Sequence, residues 1–309
     1  MKELFKPCKF NSRVLERIRL CNTILENYAA RGYKVTLRSL YYQLVVRNDI
    51  ENSQQSYKRL VDTLTKARLA GLVDWKALED LERPLQGGYG GYRDPQNFFD
   101  SIEGGYFKDQ WEGQPVYVEV WVEKNAQLGV ISVPCNRFQV RYMSCKGYLS
   151  QTAHYEAGKR FQGKARDGKE CIIIHLGDHD PSGIDMTRDH VDKIDMFAQL
   201  HDVEVKRIAL HMEQIEELNL PPNPAKESDS RYAGYRDRFG DQSWELDALE
   251  PQYTDALVSR HIEELIDQDI LAELRNREAE ESAEVNETAR ALAENYDAIR
   301  NHMRDQGMI

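Results

Sequence analysis

The chain has 309 residues, of which 41% are hydrophobic and 30% are charged. This composition can bury a sizeable core, suits about two domains and excludes general disorder. The apolar runs fall far short of the ~20 residues of a membrane span, and "MKELFKPCKF" lacks the apolar centre of a signal peptide. We therefore expect a soluble, cytoplasmic protein. The five cysteines include no Cys-x-x-Cys pair, which predicts neither a disulfide framework nor a zinc site.

The charge is unevenly distributed along the chain. A net charge of -11 by itself argues against a nucleic-acid partner, because phosphate binding needs clustered Lys and Arg. From Asp241 to the end, however, 18 acidic residues stand against 6 arginines and no lysine. Between Arg31 and Leu69, 8 basic residues stand against 3 acidic ones. An acidic tail can therefore mask a basic module that binds DNA.

Three successive helices are predicted in the N-terminal region. An apolar stripe over residues 12–30 predicts the first, Thr36 suits the N-cap of the second, and the third is predicted to begin near Asn52 or Ser53. Helices in this order, with a short turn between the last two, are typical of a helix-turn-helix or winged-helix unit.

The third predicted helix carries three basic residues outside its apolar stripe, namely Lys58, Arg59 and Lys66. Such residues commonly form a solvated polar face. The basic excess of the whole module favours the other interpretation, which is contact with DNA phosphates.

The middle of the chain changes in composition. Residues 86–106 are rich in Gly and Tyr and predict a linker or ordered loop. Beyond them, helical stretches near 150–162 and 183–200 alternate with four apolar segments that predict strands: "VYVEVWVEK", "FQVRYMSC", "ECIIIHLGD" and "EVKRIAL". This order predicts a doubly wound parallel sheet, whose ligands bind beyond the carboxyl ends of the strands.

Three carboxylates follow two of these predicted strands. Glu123 ends the first, and Asp178 and Asp180 follow the third, so we expect all three at one edge of the sheet. Hard oxygen ligands of this kind suit Mg²⁺, which keeps water positions open for phosphate oxygens. The alternative for Asp180 is a helix cap, because Pro181 and Ser182 follow it. His179, between the two aspartates, is expected to point elsewhere.

Several segments resemble the motifs of one enzyme family. "VWVEKNA" and "LGDHDPSGID" look like the glutamate and Asp-x-Asp motifs of a Toprim domain. "RSLYY" and "CKGYLSQTA" resemble the Arg-x-x-Tyr-Tyr motif and the Gly-Tyr segment of topoisomerase VI A subunits and of the related meiotic double-strand-break transesterase. The match in order and spacing runs over residues 30–220. "SWELDALEP" is more like the short stand-alone Mini-A relatives of phages and mobile elements.

The resemblance implies a fold and an activity. The fold would be α/β, with a winged-helix (CAP-like) domain over 1–85, a linker over 86–112, a Toprim domain over 113–250 and an acidic helical extension over 251–309. The activity would be Mg²⁺-dependent cleavage of duplex DNA through a 5′-phosphotyrosyl link. In that family the tyrosine of one protomer meets the metal site of another, which implies a homodimer associated with the nucleoid.

The chain also departs from the family pattern. Asn125 stands where many relatives carry an acid, although Glu123 is retained. An ATP-binding domain of the topoisomerase VI type is not visible in the chain, so we infer cleavage or nicking but not ATP-driven strand passage, and a separate ATPase subunit is a candidate partner. We include Lys146, in the Gly-Tyr segment, among the predicted DNA contacts with Lys58, Arg59 and Lys66.

The doubled tyrosine in "TLRSLYYQLV" predicts two separate roles. At ~100° per residue, Tyr41 falls in the apolar stripe of its helix, whereas Tyr42 falls off the stripe on the face of Arg38. A phenol is a poor nucleophile at neutral pH and needs a nearby cation and a proton acceptor. We therefore assign Tyr42 as nucleophile, Arg38 as fixed cation and Glu123 as proton-transfer group. Two alternatives remain: a Toprim nuclease that uses metal-activated water, and a non-catalytic DNA-binding or recombination scaffold.

The C-terminal segment shows a heptad-like spacing of apolar residues. The pattern predicts a helix that packs on its own domain, with a dimer contact as the alternative. The residues of this seam are Val285, Ala289, Leu292, Tyr296, Ile299 and Met303.

Overall fold

A computed structural model describes residues 2–78, 91–102, 104–199 and 203–308. The chain forms two compact units, one of Met1–Pro84 with Val116–Leu265 and one of Leu85–Pro115 with Ile266–Ile309. The first unit contains the regions predicted as winged-helix and Toprim domains. The second contains most of the predicted linker and most of the C-terminal extension. The predicted boundary at residues 85 and 86 lies outside the described residues.

Three helices form the N-terminal part of the first unit: α1 (Ser12–Ala30), α2 (Leu37–Val46) and α3 (Gln54–Leu69). The Thr36 side chain caps α2 by accepting from the Ser39 N–H, and the Ser53 side chain caps α3 by accepting from the Ser56 N–H. Both predicted helix starts are thus confirmed. Among the described residues before 79, β-structure is limited to an isolated bridge between Leu4 and Ala70.

A four-stranded parallel sheet follows, which confirms the predicted α/β class. Its strands lie in the order β2-β1-β3-β4. They are β1 (Val116–Val122), β2 (Arg141–Ser144), β3 (Glu170–Leu176) and β4 (Val203–Ala209). β2 lies on one side of β1, whereas β3 and β4 lie on the other side. The direction in which the strands are added therefore reverses between β1 and β3. Val122 is the register partner of Leu176, so both strands end at the same edge.

Helices connect the parallel strands: α5 (Leu128–Arg137), α6 (Gln151–Arg166) and α7 (Pro181–Ala198). For this strand order, the right-handed rule for parallel crossovers places α5 on one face of the sheet and α6 and α7 on the other. α6 packs on α7, and α5 packs on α10 (Pro251–Glu263). The core under α6 and α7 is apolar, and its larger members include Trp121, Phe161, Ile173 and Ile194.

The chain between β4 and α10 returns across the carboxyl edge of the sheet. It contains α8 (Met212–Glu217), α9 (Tyr232–Phe239) and a small antiparallel pair, β5 (Asn223–Pro224) with β6 (Gln242–Ser243). A short 3-10 turn, Leu246–Ala248, then packs against α2. This return segment therefore contacts both the sheet edge and the helix that carries the two tyrosines.

The second unit consists of α4 (Pro95–Asp100) and α11 (Gln268–Asp305). α4 lies inside the predicted 86–112 linker, of which residues 86–90 and 103 are outside the described residues. Phe99 packs on Tyr296 with ring centroids 5.7 Å apart, so the C-terminal helix packs on a helix of the predicted linker. Ala289 of the predicted seam is buried, whereas Leu292 and Ile299 are exposed. In the described ranges, no helix combines the length and the apolar character needed to cross a membrane.

Candidate metal and tyrosine site

The three predicted carboxylates lie at the carboxyl edge of the sheet, and a backbone amide orients each of them. Glu123 Oε2 accepts from the Asp178 N–H at 2.7 Å. Asp178 Oδ1 accepts from the Leu246 N–H at 2.8 Å, and Asp180 Oδ1 accepts from the Gly183 N–H at 2.6 Å. The edge lies where the strand order reverses, which is the usual ligand position in such sheets.

Gly183 permits the close approach of these groups. A Cβ atom at this position would lie 2.3 Å from the Asp178 carbonyl oxygen and 3.0 Å from Glu123 Oε2. Because real Cβ atoms do not approach backbone oxygens so closely, any side chain here would displace the loop that carries the Asp-x-Asp motif.

Asp180 takes the helix-cap role that was the alternative to its predicted role as a metal ligand. Asp180 is the N-cap of α7, and its Oδ1 also accepts from the Ser182 hydroxyl at 2.9 Å. Its second oxygen accepts no hydrogen bond from the described part of the chain. The cap therefore uses one oxygen of this carboxylate and leaves the other for a ligand.

Lys124 places an ammonium group among the acids. Its Nζ lies 2.6 Å from Asp178 Oδ2, pairs with Glu245 and is 3.9 Å from Asp247 Oδ2. Burial opposes the charged form, but the surrounding carboxylates outweigh it and raise the pKa of Lys124 above its ordinary value. The lysine thus neutralises an oxygen that was predicted to bind a metal.

Arg207 of β4 supports the loop from the other side. Its guanidinium donates to the carbonyl oxygens of Gly177 (2.9 Å), Asp178 (2.7 Å) and Gly183 (2.9 Å). Burial lowers the pKa of Arg207 to about 10, partly opposed by Glu123, so the group is still charged at neutral pH. It therefore fixes the turn between β3 and α7. Because these contacts are to backbone carbonyl oxygens, substitution of an acidic side chain would not remove them.

The Glu123 carboxyl is almost completely buried. Burial raises its pKa, and the hydrogen bond from Asp178 and the charge of Lys124 offset part of that rise. A carboxylate with a raised pKa accepts protons more readily than an exposed one, which suits a proton-transfer role.

Arg38 of α2 reaches the same acidic cluster. Its Nη2 lies 2.8 Å from Glu245 Oε2, and its Nε lies 3.2 Å from Asp247 Oδ2. The buried Asp247 also accepts from Gln127 Nε2 at 2.8 Å. Glu245 therefore pairs with one cation from the tyrosine helix and with another from the end of β1.

Tyr42 lies beside Arg38, as the helical spacing predicted. The guanidinium carbon is 5.7 Å from the ring centroid of Tyr42. The prediction that Tyr42 lies off the buried face is wrong, because it is 6% exposed and Tyr41 is 4% exposed. The physical reason is the return segment: Asn223 and Pro224 cover the second face of α2 and line a cavity of about 410 Å³ with the two tyrosines.

Burial raises the pKa of Tyr42 to about 12, with a further rise from Glu245 and an opposing effect of Arg38. The phenol is therefore neutral at physiological pH. Any reaction at its oxygen needs a group that accepts the proton.

Tyr41 has a structural role, as predicted. Its hydroxyl lies 3.1 Å from Asn52 Oδ1 and from the Ser53 carbonyl oxygen, and it accepts from the Ser53 N–H at 2.9 Å. These contacts fix the turn between α2 and α3.

The predicted DNA-contact residues are all exposed. Lys58, Arg59 and Lys66 lie on α3. Lys146 follows β2, where the Gly147 N–H lies 3.4 Å from the Glu123 carbonyl oxygen. The structure thus brings Lys146 next to the acidic edge.

His179 points away from the acids, which confirms the expectation. Its Nδ1 lies 2.8 Å from the Tyr235 hydroxyl, and its ring packs between Phe239 and Trp244. It anchors the return segment to the Asp-x-Asp loop.

Sequence reasoning did not assign roles to Lys124, Arg207, Glu245 or Asp247. Lys124 directly follows Glu123, and Glu245 and Asp247 lie in "SWELDALEP". Both segments were therefore recognised as motifs. Their pairing was not visible, because Lys124 and Glu245 are 121 positions apart. Arg207 did not stand out in the sequence, because β4 also carries Glu204 and Lys206.

The described residues contain two groups of three side chains whose metal-binding atoms all lie within 4.8 Å of one another: Cys145–His175–His190 and His154–Asp189–His190. The carboxylates of Glu123, Asp178 and Asp180 are not one of these groups, so their oxygens do not all come within 4.8 Å of one another. Comparison of the chain with protein-family models, with curated proteins and with solved structures gives no match.

Proposed function

We propose that the chain is a Mg²⁺-dependent DNA-cleaving transesterase of the topoisomerase VI A type, with a winged-helix-like module and a Toprim-like module. One observation carries the proposal. Arg38, beside Tyr42, shares Glu245 with Lys124, and Lys124 in turn pairs with Asp178. Ion pairs thus join the tyrosine helix to the carboxylate edge within one compact unit.

Glu123, Asp178 and Asp180 would hold the metal. The chemistry of the donors fits, because all are hard carboxylate oxygens and a backbone amide orients each acid, but these oxygens would have to move closer together to share one ion. The Lys124 ammonium would have to leave Asp178 to make room. When bound, Mg²⁺ would supply a Lewis acid for the charge that develops on the phosphate.

The chain's own residues would carry out the bond changes. The Tyr42 oxygen forms a bond to phosphorus as the bond to the 3′ oxygen breaks, and the released 3′ oxygen takes a proton from water to become a hydroxyl. Glu123 accepts the phenol proton, which the raised pKa of Tyr42 makes necessary. Arg38, whose side chain is 45% exposed, exchanges Glu245 for the phosphate. The 5′-phosphotyrosyl link preserves the bond energy.

DNA would be held by Lys58, Arg59, Lys66 and Lys146, all of which are exposed. The resemblance further implies a homodimer in which the tyrosine of one protomer serves the acids of the other. Mixing Tyr42→Phe with Glu123→Gln protein should then restore cleavage that neither variant supports alone.

A second candidate is metal-dependent hydrolysis of DNA without a covalent link. The burial of Tyr42 favours it, because only 6% of that residue is exposed. In this reaction water attacks the phosphate, and Tyr42 serves only as part of the cavity wall.

The experiment uses supercoiled DNA, Mg²⁺ and a denaturant quench. We expect wild-type protein to become covalently attached to 5′ ends, with Tyr42→Phe inactive and Tyr41→Phe active as the matched control. Undiminished cleavage by Tyr42→Phe would establish the hydrolase instead. Binding without cleavage by the wild type would contradict both and leave the scaffold function.

A further inference from the structure

Two buried histidines beneath the acidic edge each have an unpaired ring nitrogen. His175 of β3 and His190 of α7 are completely buried. His175 Nδ1 lies 2.9 Å from the Thr187 hydroxyl, and His190 Nδ1 lies 3.0 Å from His154 Nε2. The Nε2 atoms of both rings have no hydrogen-bond partner among the described residues.

An unsatisfied buried nitrogen costs about 1–3 kcal/mol, so two in one place call for an explanation. The Cys145 thiol supplies one. It is buried, and its sulfur and one nitrogen from each histidine all lie within 4.8 Å of one another.

We propose that Cys145, His175 and His190 form a site for a transition-metal ion of the Zn²⁺ type. A thiolate with two imidazoles suits zinc or cobalt, whereas Mg²⁺ requires oxygen donors. The hydrogen bonds at both Nδ1 atoms orient the rings and leave Nε2 as the donor, which is the usual arrangement around metal-binding histidines.

Burial raises the pKa of the Cys145 thiol, so the thiol is protonated at pH 7 in the metal-free protein and the ion has to displace its proton. Burial lowers the pKa of His190 to about 4, with a further effect of His154, so the ring is neutral and has a free lone pair at pH 7. Metal binding would form a metal–sulfur bond and release the Cys145 proton to solvent, because the thiolate is the ligand.

The site would be separate from the proposed Mg²⁺ site and independent of DNA cleavage. Cys145 follows β2, His175 lies on β3 and His190 lies on α7. A bound ion would cross-link these three elements directly below the loop that carries Asp178. We therefore assign it a structural role.

The test is a titration of the metal-stripped full chain with Co²⁺. Excess Mg²⁺ is present so that sites with oxygen ligands are already occupied. Absorption from sulfur-to-cobalt charge transfer reports a thiolate ligand. We expect this band at one equivalent of Co²⁺ and its loss when Zn²⁺ is added. Cys145→Ser should abolish it.

Two cysteine variants serve as controls. Cys171→Ser removes a buried thiol of the same core, and Cys8→Ser removes the partly exposed thiol. Both should keep the band. Absence of the band in folded wild-type protein would overturn the proposal, and this result does not depend on the folding of Cys145→Ser. A band of full intensity in Cys145→Ser would also overturn it.

Discussion

The Arg38 guanidinium lies 2.8 Å from Glu245, a carboxylate that also pairs with Lys124. One acid thus links the helix of Tyr42 to the end of β1. Because Lys124 and the acids of the cluster are largely buried, removal of one charge there alters the balance at the others. The predictions below use this coupling.

Lys124→Met should destabilise the metal-free protein by about 3 kcal/mol, because it leaves the buried Asp178 without its cation. Mg²⁺ should recover a large part of this loss by neutralising the same oxygen. Denaturant unfolding with EDTA and with Mg²⁺ measures both effects.

Lys193→Met provides the matched control. Its partner Asp189 lies 2.9 Å away in a helical i, i+4 pair, and such pairs contribute under about 1 kcal/mol. We expect a small change that Mg²⁺ does not reverse. Equal Mg²⁺ responses in the two variants would argue against a cation site at Asp178.

The two tyrosines should differ in their effect on stability. Tyr41→Phe leaves the Ser53 N–H without its acceptor and should cost about 1–2 kcal/mol in free energy of unfolding. Tyr42→Phe should cost less, because the Tyr42 hydroxyl pairs with the Asn223 side chain and has no comparable set of backbone contacts within the described residues. Chemical denaturation of both variants tests this order, and the reverse order would refute the assignment of Tyr41 as the structural tyrosine.

Glu123 should make the metal-free fold less stable as pH rises. Its pKa in the folded state is raised from an ordinary 4.5. A raised pKa contributes stability that is fully present below the unfolded pKa and is lost as pH passes through the folded one. The stability advantage of wild type over Glu123→Gln should therefore fall as pH increases above 4.5.

This comparison isolates one carboxyl, because glutamine keeps an oxygen that accepts from the Asp178 N–H. Mg²⁺ should reduce the loss at higher pH. A stability difference that stays constant with pH in EDTA would mean that Glu123 titrates normally.

The exposed basic residues of α3 should set part of the salt dependence of DNA binding. Replacement of Lys58 or Arg59 by Ala should reduce the slope of log K against log salt by about 0.9 each, since each phosphate contact releases counterions. Lys159→Ala on α6 is the control and should leave the slope unchanged. Fluorescence anisotropy over a range of salt concentrations measures it, and unaltered slopes for the α3 variants would remove this helix from the DNA interface.

Local patterns in the sequence predicted much of the fold. The caps at Thr36 and Ser53 were predictable because a side chain bonds to an amide three residues away. The apolar run before Asp178 predicted β3, and the alternation of strands with helices predicted the parallel sheet. Strand ends then located Glu123 and the two aspartates, because parallel strands end at the same edge.

Long-range pairing was beyond this kind of prediction. The burial of Tyr42 depends on Asn223 and Pro224, which no local pattern relates to α2. A helical wheel shows only which residues share a face of one helix. It cannot predict that a distant segment of the chain buries the second face of α2. The role of Lys124 was hidden for the same reason, since no local pattern relates Glu245 and Asp247 to the carboxyl edge of the parallel sheet.

The central claim is that the Tyr42 oxygen becomes bonded to a 5′ phosphate of DNA. Its most direct test is peptide mapping of denaturant-trapped protein after nuclease trimming, with mass spectrometry of the peptide that contains both tyrosines. Fragmentation should locate the added nucleotide on Tyr42 and never on Tyr41. DNA cut in the presence of Mg²⁺ with an unmodified Tyr42 peptide would contradict the account.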